Sequence, residues 1–313
     1  MSLVVAFDEI KPDQVRRNKG GPDSPASTNF PFFRASSDTP DAPTAFLAQY
    51  DPGDRSCTHF HAVDQFQILV KGKGRLGRHE VAPYYVHFSR AYTPYGPLHA
   101  DEKTGWTFMT LRTRYDAGAQ RLPGALPKLK QVRDRKPWQV TSMASFPACG
   151  SGVSLREIPD VKDDRGLFVR SLAMAPGTRT VAPAPSGGAG QYVIAVEGSL
   201  RHENRERQAL TVVFVRPDED AFQIHAGPQG LEALILNFPR VAPLAAHGEA
   251  PATAVGFRKW QCVLCAFSYD EVQGTPEEGI PAGTRWADVP DTWSCPDCGA
   301  SKNEFEMVEV QIK

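Results

Sequence analysis

Gly53-Asp-Arg-Ser-Cys57-Thr-His59-Phe-His61-Ala-Val-Asp-Gln65-Phe-Gln67-Ile-Leu-Val70-Lys-Gly72 begins in a polar turn, passes through a short apolar run and stops at glycine. Runs this short, rich in β-branched and aromatic residues and closed by Gly, Pro or Asp, form strands. The pattern recurs along the chain at Thr107–Leu111, Gln191–Val196, Leu210–Val215 and Leu231–Leu236. Proline (27) and glycine (26) are scattered throughout, and no helical period exceeds three turns. The expected class is all-β, built as a sandwich or barrels.

A second segment repeats the first. Gly177…Pro183-Ala-Pro185…Gln191…Gly198 keeps the spacing of Gly53…His59-Phe-His61…Gln65…Gly72. Downstream, Pro94-Tyr95-Gly96-Pro-Leu-His99-Ala answers to Phe222-Gln-Ile-His225-Ala. A repeat at this distance implies two copies of one β-barrel. The expected domains are 1–120, 121–245, a linker at 246–257 rich in Ala and Pro, and a tail at 258–313.

His59 and His61 are two apart, so on one strand they share a face. Gln65 keeps that parity, and His99 on a distant strand is expected to complete a facial set. Three imidazoles suit a divalent first-row metal and leave positions open for substrate and oxygen. The plainer reading is a set of hydrogen-bonded histidines filling a barrel. Cys57, Gln67, Tyr95, Trp106 and Arg112 are expected to line the pocket, by parity or nearness, though each could equally be ordinary barrel filling. His79, His87, His202 and His247 lie outside the motif and read as structural or exposed.

The spacing Gly53-x5-His59-x-His61-x3-Gln65-x6-Gly72 followed by Pro94-x-Gly96-x2-His99 resembles both halves of the cupin motif. With the repeat, the chain resembles a bicupin of two jelly-roll barrels. Gln65 stands where the family has a glutamate ligand, and Lys103 where it has asparagine. The resemblance therefore implies a neutral three-histidine Fe(II) site, as in ring-cleaving, β-diketone and thiol dioxygenases, with Gln65 as a hydrogen-bonding neighbour. Such a site favours small anionic, chelating substrates, aromatic ones among them, and O2. In the second copy Pro183 and Pro185 replace both histidines and only His225 remains. Proline cannot bind metal, so this barrel is expected to be structural.

Cys262-Val-Leu-Cys265 and Cys295-Pro-Asp-Cys298 are separated by a gap that carries Tyr269-Asp270, Gly279-Ile-Pro-Ala-Gly283 and Trp293. Two Cys-x-x-Cys knuckles close a tetrahedral thiolate site for iron or zinc. With Trp260, Tyr269, Trp293 and Phe305 as aromatic core, residues 258–306 resemble rubredoxin. The resemblance implies one-electron transfer at a closed iron site fed by a reductase; a purely structural metal is the alternative. The usual glycine after the second cysteine is Ala266 here.

The net charge of −1 gives no field for nucleic acid or an anionic membrane. It is uneven, with −5 on Arg258–Lys313 and +4 on the rest. No stretch of eighteen apolar residues occurs, the first residues are not expected to act as a secretory leader, and the paired cysteines suit a reducing cytoplasm. The expectation is a cytoplasmic iron dioxygenase with its own rubredoxin, assembling as a homo-oligomer as cupins do. Two other classes fit less closely: a redox or small-ligand sensor, and a metal-dependent isomerase or lyase.

Overall fold

The structure, a computed structural model, describes residues 2–21, 24–77, 79–132, 137–240, 256–262, 267–297 and 299–308. The motif strand Gln65–Gly72 lies inside a seven-stranded antiparallel sheet. Its order is Gln139–Met143, Tyr85–Ser89, Gln65–Gly72, Trp106–Arg112, Thr44–Tyr50, Ser27–Phe33 and Arg16–Asn18. Against it packs a four-stranded sheet of Arg55–Ser56, Leu98–Ala100, Gly74–Leu76 and His79–Val81, and together they form the front barrel. The rear barrel is an eight-stranded sheet dominated by Gln191–His202 and Gln223–Asn237.

Side-chain alternation assigns each face its task. In the front sheet Phe66, Ile68, Phe88, Met109 and Leu111 point to the rear barrel, whose Tyr192, Ile194, Phe214, Leu236 and Phe238 complete a shared core. Phe66 and Phe238 meet edge to face at 4.9 Å. Each such side chain contributes about 1.5–3 kcal/mol by leaving water. The buried Tyr192 hydroxyl donates to the carbonyls of Arg112 (2.7 Å) and Thr44 (3.1 Å), tying the barrels together by hydrogen bonds as well.

The opposite faces line the two barrel interiors, and these differ. The rear interior is filled by Leu172, Met174, Val193, Ala195, Val213, Val215, Ile235 and their neighbours. The front interior presents Gln65, Gln67, His87 and Arg112, all buried. The repeat seen in the sequence is real in three dimensions. Gly72 (φ +79°) and Gly198 (φ +72°) are its closing glycines, and a Cβ on either would sit 2.2 Å from a carbonyl oxygen, that of Gly105 or of Gly230. Only glycine permits that left-handed turn and that approach.

The expected boundary at residue 120 is not where the sheets divide. Leu3–Val5 pairs with Val212–Val215 in the rear sheet, and Gln139–Met143 pairs with Tyr85–Ser89 in the front sheet. Each barrel lends the other an edge strand, which covers hydrogen-bonding groups that would otherwise be open. The tail is a three-stranded sheet, Ser268–Asp270, Lys259–Cys262 and Phe305–Val308, around its own core of Tyr269, Trp286, Trp293 and Phe305. The class is thus all-β, two barrels followed by a small separate domain, as the sequence implies.

Candidate functional site

His59 sits in the two-residue strand His59–Phe60, and its backbone pairs with Tyr95 through His59 N to Tyr95 O (3.1 Å) and Tyr95 N to His59 O (3.0 Å). That bridge places both side chains inside the front barrel, almost fully buried. His59 Nδ1 is 2.8 Å from the Cys57 carbonyl. A carbonyl only accepts, so Nδ1 carries the proton and Nε2 presents a bare lone pair. Tyr95 Oη donates to it at 2.9 Å.

His61 is built in the same way. Its Nδ1 donates to Asp116 Oδ2 at 2.6 Å, and Arg112 Nη2 lies 3.3 Å from its Nε2. The two rings stand perpendicular with centroids 5.5 Å apart. Gln65 links the halves: its Nε2 donates to Tyr95 Oη (2.6 Å), and its Oε1 accepts from Arg112 Nε (3.2 Å) and Nη2 (3.0 Å). Arg112 also pairs with Asp116 at 3.3 Å.

Burial, reinforced by the neighbouring His61, holds the His59 pKa down to about 3; burial and the Arg112 charge hold that of His61 down to about 4. Both imidazoles are therefore neutral at physiological pH. Burial pushes Tyr95 up, so it keeps its proton. Burial would also raise Asp116, but the His61 hydrogen bond and Arg112 outweigh it and the carboxyl pKa ends below its usual value.

His99 does not join this site. It lies on Leu98–Ala100, where alternation turns Leu98 into the barrel and His99 to the other face. There it is half-buried opposite Arg55 and Arg75, with Nδ1 3.4 Å from Arg75 Nη2. The expected three-histidine set is thus corrected: two histidines meet inside the barrel, and Tyr95, not His99, lies beside them. Among the described residues no cluster of three or more His, Cys, Asp and Glu side chains could hold a metal.

The donors that remain still suit one. Both histidines have the second nitrogen fixed by an acceptor, the arrangement that aims the free Nε2 of a metal ligand. The Arg112 guanidinium shares the space before His61 Nε2, so a metal would compete with it.

Of the expected pocket residues, Gln67, Tyr95, Trp106 and Arg112 are buried in the front interior, while Cys57 enters through its backbone carbonyl. Sequence reading missed Asp116 and His87. Asp116 lies on the loop that follows the strand Trp106–Arg112, with no periodicity to mark it. His87 lies outside the motif, yet it is buried, with its ring 5.1 Å from Tyr95. In the rear barrel Pro183 merely accepts from Gln191 Nε2 (3.1 Å), and His225 lines an open cleft with Arg179 and Arg201.

In the tail, Cys262 and Cys295 are buried against the aromatic core. Backbone hydrogen bonds flank them: Cys262 N donates to Phe267 O (2.8 Å), and Cys295 N donates to Ala300 O (2.8 Å). Gly299 (φ +73°) donates its amide to Cys295 O at 2.7 Å. Two buried cysteines in one small core fit a thiolate-bound metal. Cys265, Ala266 and Cys298 lie outside the described residues. Glu271 anchors the domain, accepting from Trp260 Nε1 (3.0 Å), the Trp286 amide (2.9 Å) and the Arg258 amide (2.8 Å). No helix among the described residues is long and apolar enough to cross a membrane.

Residues 259–305 match the rubredoxin family model. Rubredoxin-2 of Pseudomonas aeruginosa is 68% identical over 53 residues, which is 17% of this chain and 96% of that protein. Rubredoxin-1 of Alcanivorax borkumensis is 58% identical over 53 residues, 17% of this chain and 98% of that protein. The barrels are similar in fold to the bacterial pirin of Escherichia coli crystallised with nickel(II) (TM-score 0.52, 10% identity, 77% of this chain and 100% of that one). They are also similar to a Nostoc punctiforme protein provisionally assigned as a dioxygenase (TM-score 0.53, 12% identity, 80% and 87%). A variant of Bacillus subtilis oxalate decarboxylase gives a TM-score of 0.50 at 12% identity, covering 77% and 78%. Through its C-terminal domain this chain belongs to the rubredoxin family, and it carries that domain behind a two-barrel cupin fold.

Proposed function

We propose that the chain is a mononuclear metal-dependent oxygenase, a dioxygenase with iron in the front barrel, whose reduced state its own rubredoxin domain maintains. The observation that carries this reading is a pair of buried, neutral imidazoles, His59 with Nε2 on the Tyr95 hydroxyl and His61 with Nε2 beside Arg112, in the interior of a barrel attached to a rubredoxin domain. His59 and His61 would hold the barrel metal, with the Tyr95 hydroxyl beside them, and Cys262, Cys265, Cys295 and Cys298 the iron of the tail. When bound, the barrel metal would supply redox chemistry toward O2 and the tail iron would pass electrons singly.

The chain's own groups do the rest. The Cys57 carbonyl and Asp116 fix both imidazole tautomers. Tyr95 keeps a proton between His59 and Gln65. Arg112 provides a counter-charge for a small anionic, chelating substrate, and the apolar barrel wall excludes water. The acidic tail suits a basic reductase as electron donor.

Metal analysis tests the reading. Two irons per chain are expected in the full-length protein, one after His59→Ala and one after Cys262→Ser, with O2 uptake on small anionic substrates lost in the first. A single iron that only Cys262→Ser removes would sink it. A second reading rests on Arg112, which already satisfies His61 Nε2: the barrel binds a small ligand without metal and the tail reports redox state. The same metal count separates the two.

A further inference from the structure

The rear barrel has lost the histidine pair from its inside, but one row of side chains on its outside matches the front barrel. In the front barrel His99 lies between Arg55 on one neighbouring strand and Arg75 on the other, and Glu80 follows Arg75 on the next. In the rear barrel His225 lies opposite Arg179. Leu200 pairs with Ala226, which sets Arg201 beside His225, and Glu206 follows Arg201. The order Arg–His–Arg–Glu across four strands is thus the same in both copies. Each histidine follows an interior residue, Leu98 or Ile224, so alternation turns it outward.

Such a row works against the sheet that carries it. Like charges on neighbouring strands are destabilising, and here two arginines lie about 10 Å apart at the backbone, two strand spacings, with only an imidazole between them. Desolvation and the flanking arginines hold both imidazoles below their ordinary pKa, so each is neutral at physiological pH and the two arginines carry the charge. The glutamates at the ends do not discharge them. Arg75 leans to His99 Nδ1 (3.4 Å), and Glu206 accepts from Ser199 Oγ (2.8 Å) and Gln208 Nε2 (3.3 Å). In the front row Arg55 pairs with Glu102 at 3.3 Å. In the rear row neither Arg179 nor Arg201 makes an ion pair or side-chain hydrogen bond among the described residues. Both line an open cleft of about 800 Å³. The other acid there, Glu203, lies 3.9 Å from His202 Nε2.

An arginine fork takes two oxygens of one group. Two forks on either side of an imidazole ask for more oxygens than one carboxylate has, and two positive charges ask for two negative ones. A phosphate group meets both demands, with at least three acceptor oxygens and a charge of about −1.5 to −2 at neutral pH, and the imidazole N–H adds a donor. We propose that the rear-barrel cleft binds a phosphate group, free or as a phosphomonoester, between Arg179, His225 and Arg201, and that the front row is the same site closed by Glu102. The site lies outside both barrel interiors and does not depend on the oxygenase reading.

Inorganic phosphate, phenyl phosphate and acetate, titrated calorimetrically into the full-length protein at constant ionic strength, test it. Phosphate is expected to saturate one site per chain, and acetate to bind at least about tenfold more weakly. Arg179→Gln together with Arg201→Gln should weaken phosphate at least about tenfold. Without phosphate that variant should unfold at the same midpoint as the parent or higher, because a like-charge pair has gone. Saturating phosphate should raise the midpoint of the parent and not that of the variant. Glu102→Gln should free the front row and raise the count to two; a count that stays at one would overturn the front-row assignment. Phenyl phosphate binding as tightly as phosphate would assign the site to a phosphomonoester, and phosphate binding alone to the free anion. His59→Ala should leave phosphate binding within about twofold whether or not the barrel holds a metal. Loss of binding in that variant would put the anion inside the front barrel and overturn the proposal. So would equal affinity for phosphate and acetate, undiminished binding by the double variant, or no binding at all.

Discussion

Removing the Tyr95 hydroxyl takes the donor from His59 Nε2 and the acceptor from Gln65 Nε2. Tyr95→Phe should therefore cost about 1–3 kcal/mol of stability in denaturant unfolding and lower barrel metal content, with the visible spectrum of the tail iron unchanged. His99→Ala should leave metal content as it is, because that ring faces away from the barrel; loss of barrel metal in this variant would restore the three-histidine set. His87 gives the clearest pH signature. Burial holds its pKa down to about 3, from an ordinary 6.5. The unfolded chain then takes up the proton first, so stability falls as pH drops from about 6.5 toward 3. Substituting His87→Gln should flatten that decline by about one proton in the pH dependence of unfolding free energy.

Among the elements, Gln65–Gly72 bears most of the design, since one face builds the inter-barrel core and the other the site. Phe66→Ala removes a fully buried ring from that core and should cost about 3–5 kcal/mol. Calorimetry would show this as a lowered midpoint for the barrels with the tail transition in place. Position 65 was legible from parity alone because the strand is regular there. The Leu98–Ala100 strand was misread for a related reason. Spacing counts residues along the chain, whereas the turn at Pro94–Pro97 decides which residue starts the strand, and so which face His99 takes.

At the scale of the whole molecule the tail has its own hydrophobic core, separate from that of the barrels. A partly exposed ion pair, Lys130 to Glu304 at 3.7 Å, reaches from the tail to the helix Leu126–Gln131, and surface pairs contribute only about 0–1 kcal/mol. A chain ending at Arg240 should accordingly unfold at the same midpoint as the barrels of the intact protein. A large drop on truncation would show that the tail props up the barrels. The two barrels, by contrast, share one core and exchange edge strands, so they should unfold together in a single transition.

Sequence by itself determined the all-β class, the two-barrel repeat, the loss of the histidine pair from the rear copy and the rubredoxin tail. These follow from local rules: strand alternation, glycines demanded by left-handed turns, prolines that cannot ligate and cysteines spaced as knuckles. Only the tertiary structure decided which side chains meet. Tyr95 in place of His99, Asp116 behind His61, and Gln67, His87 and Trp106 around one cavity all come together from separate strands and loops. Their contacts depend on register and on which strand edge is lent to which barrel, and neither is encoded in the spacing of any one segment.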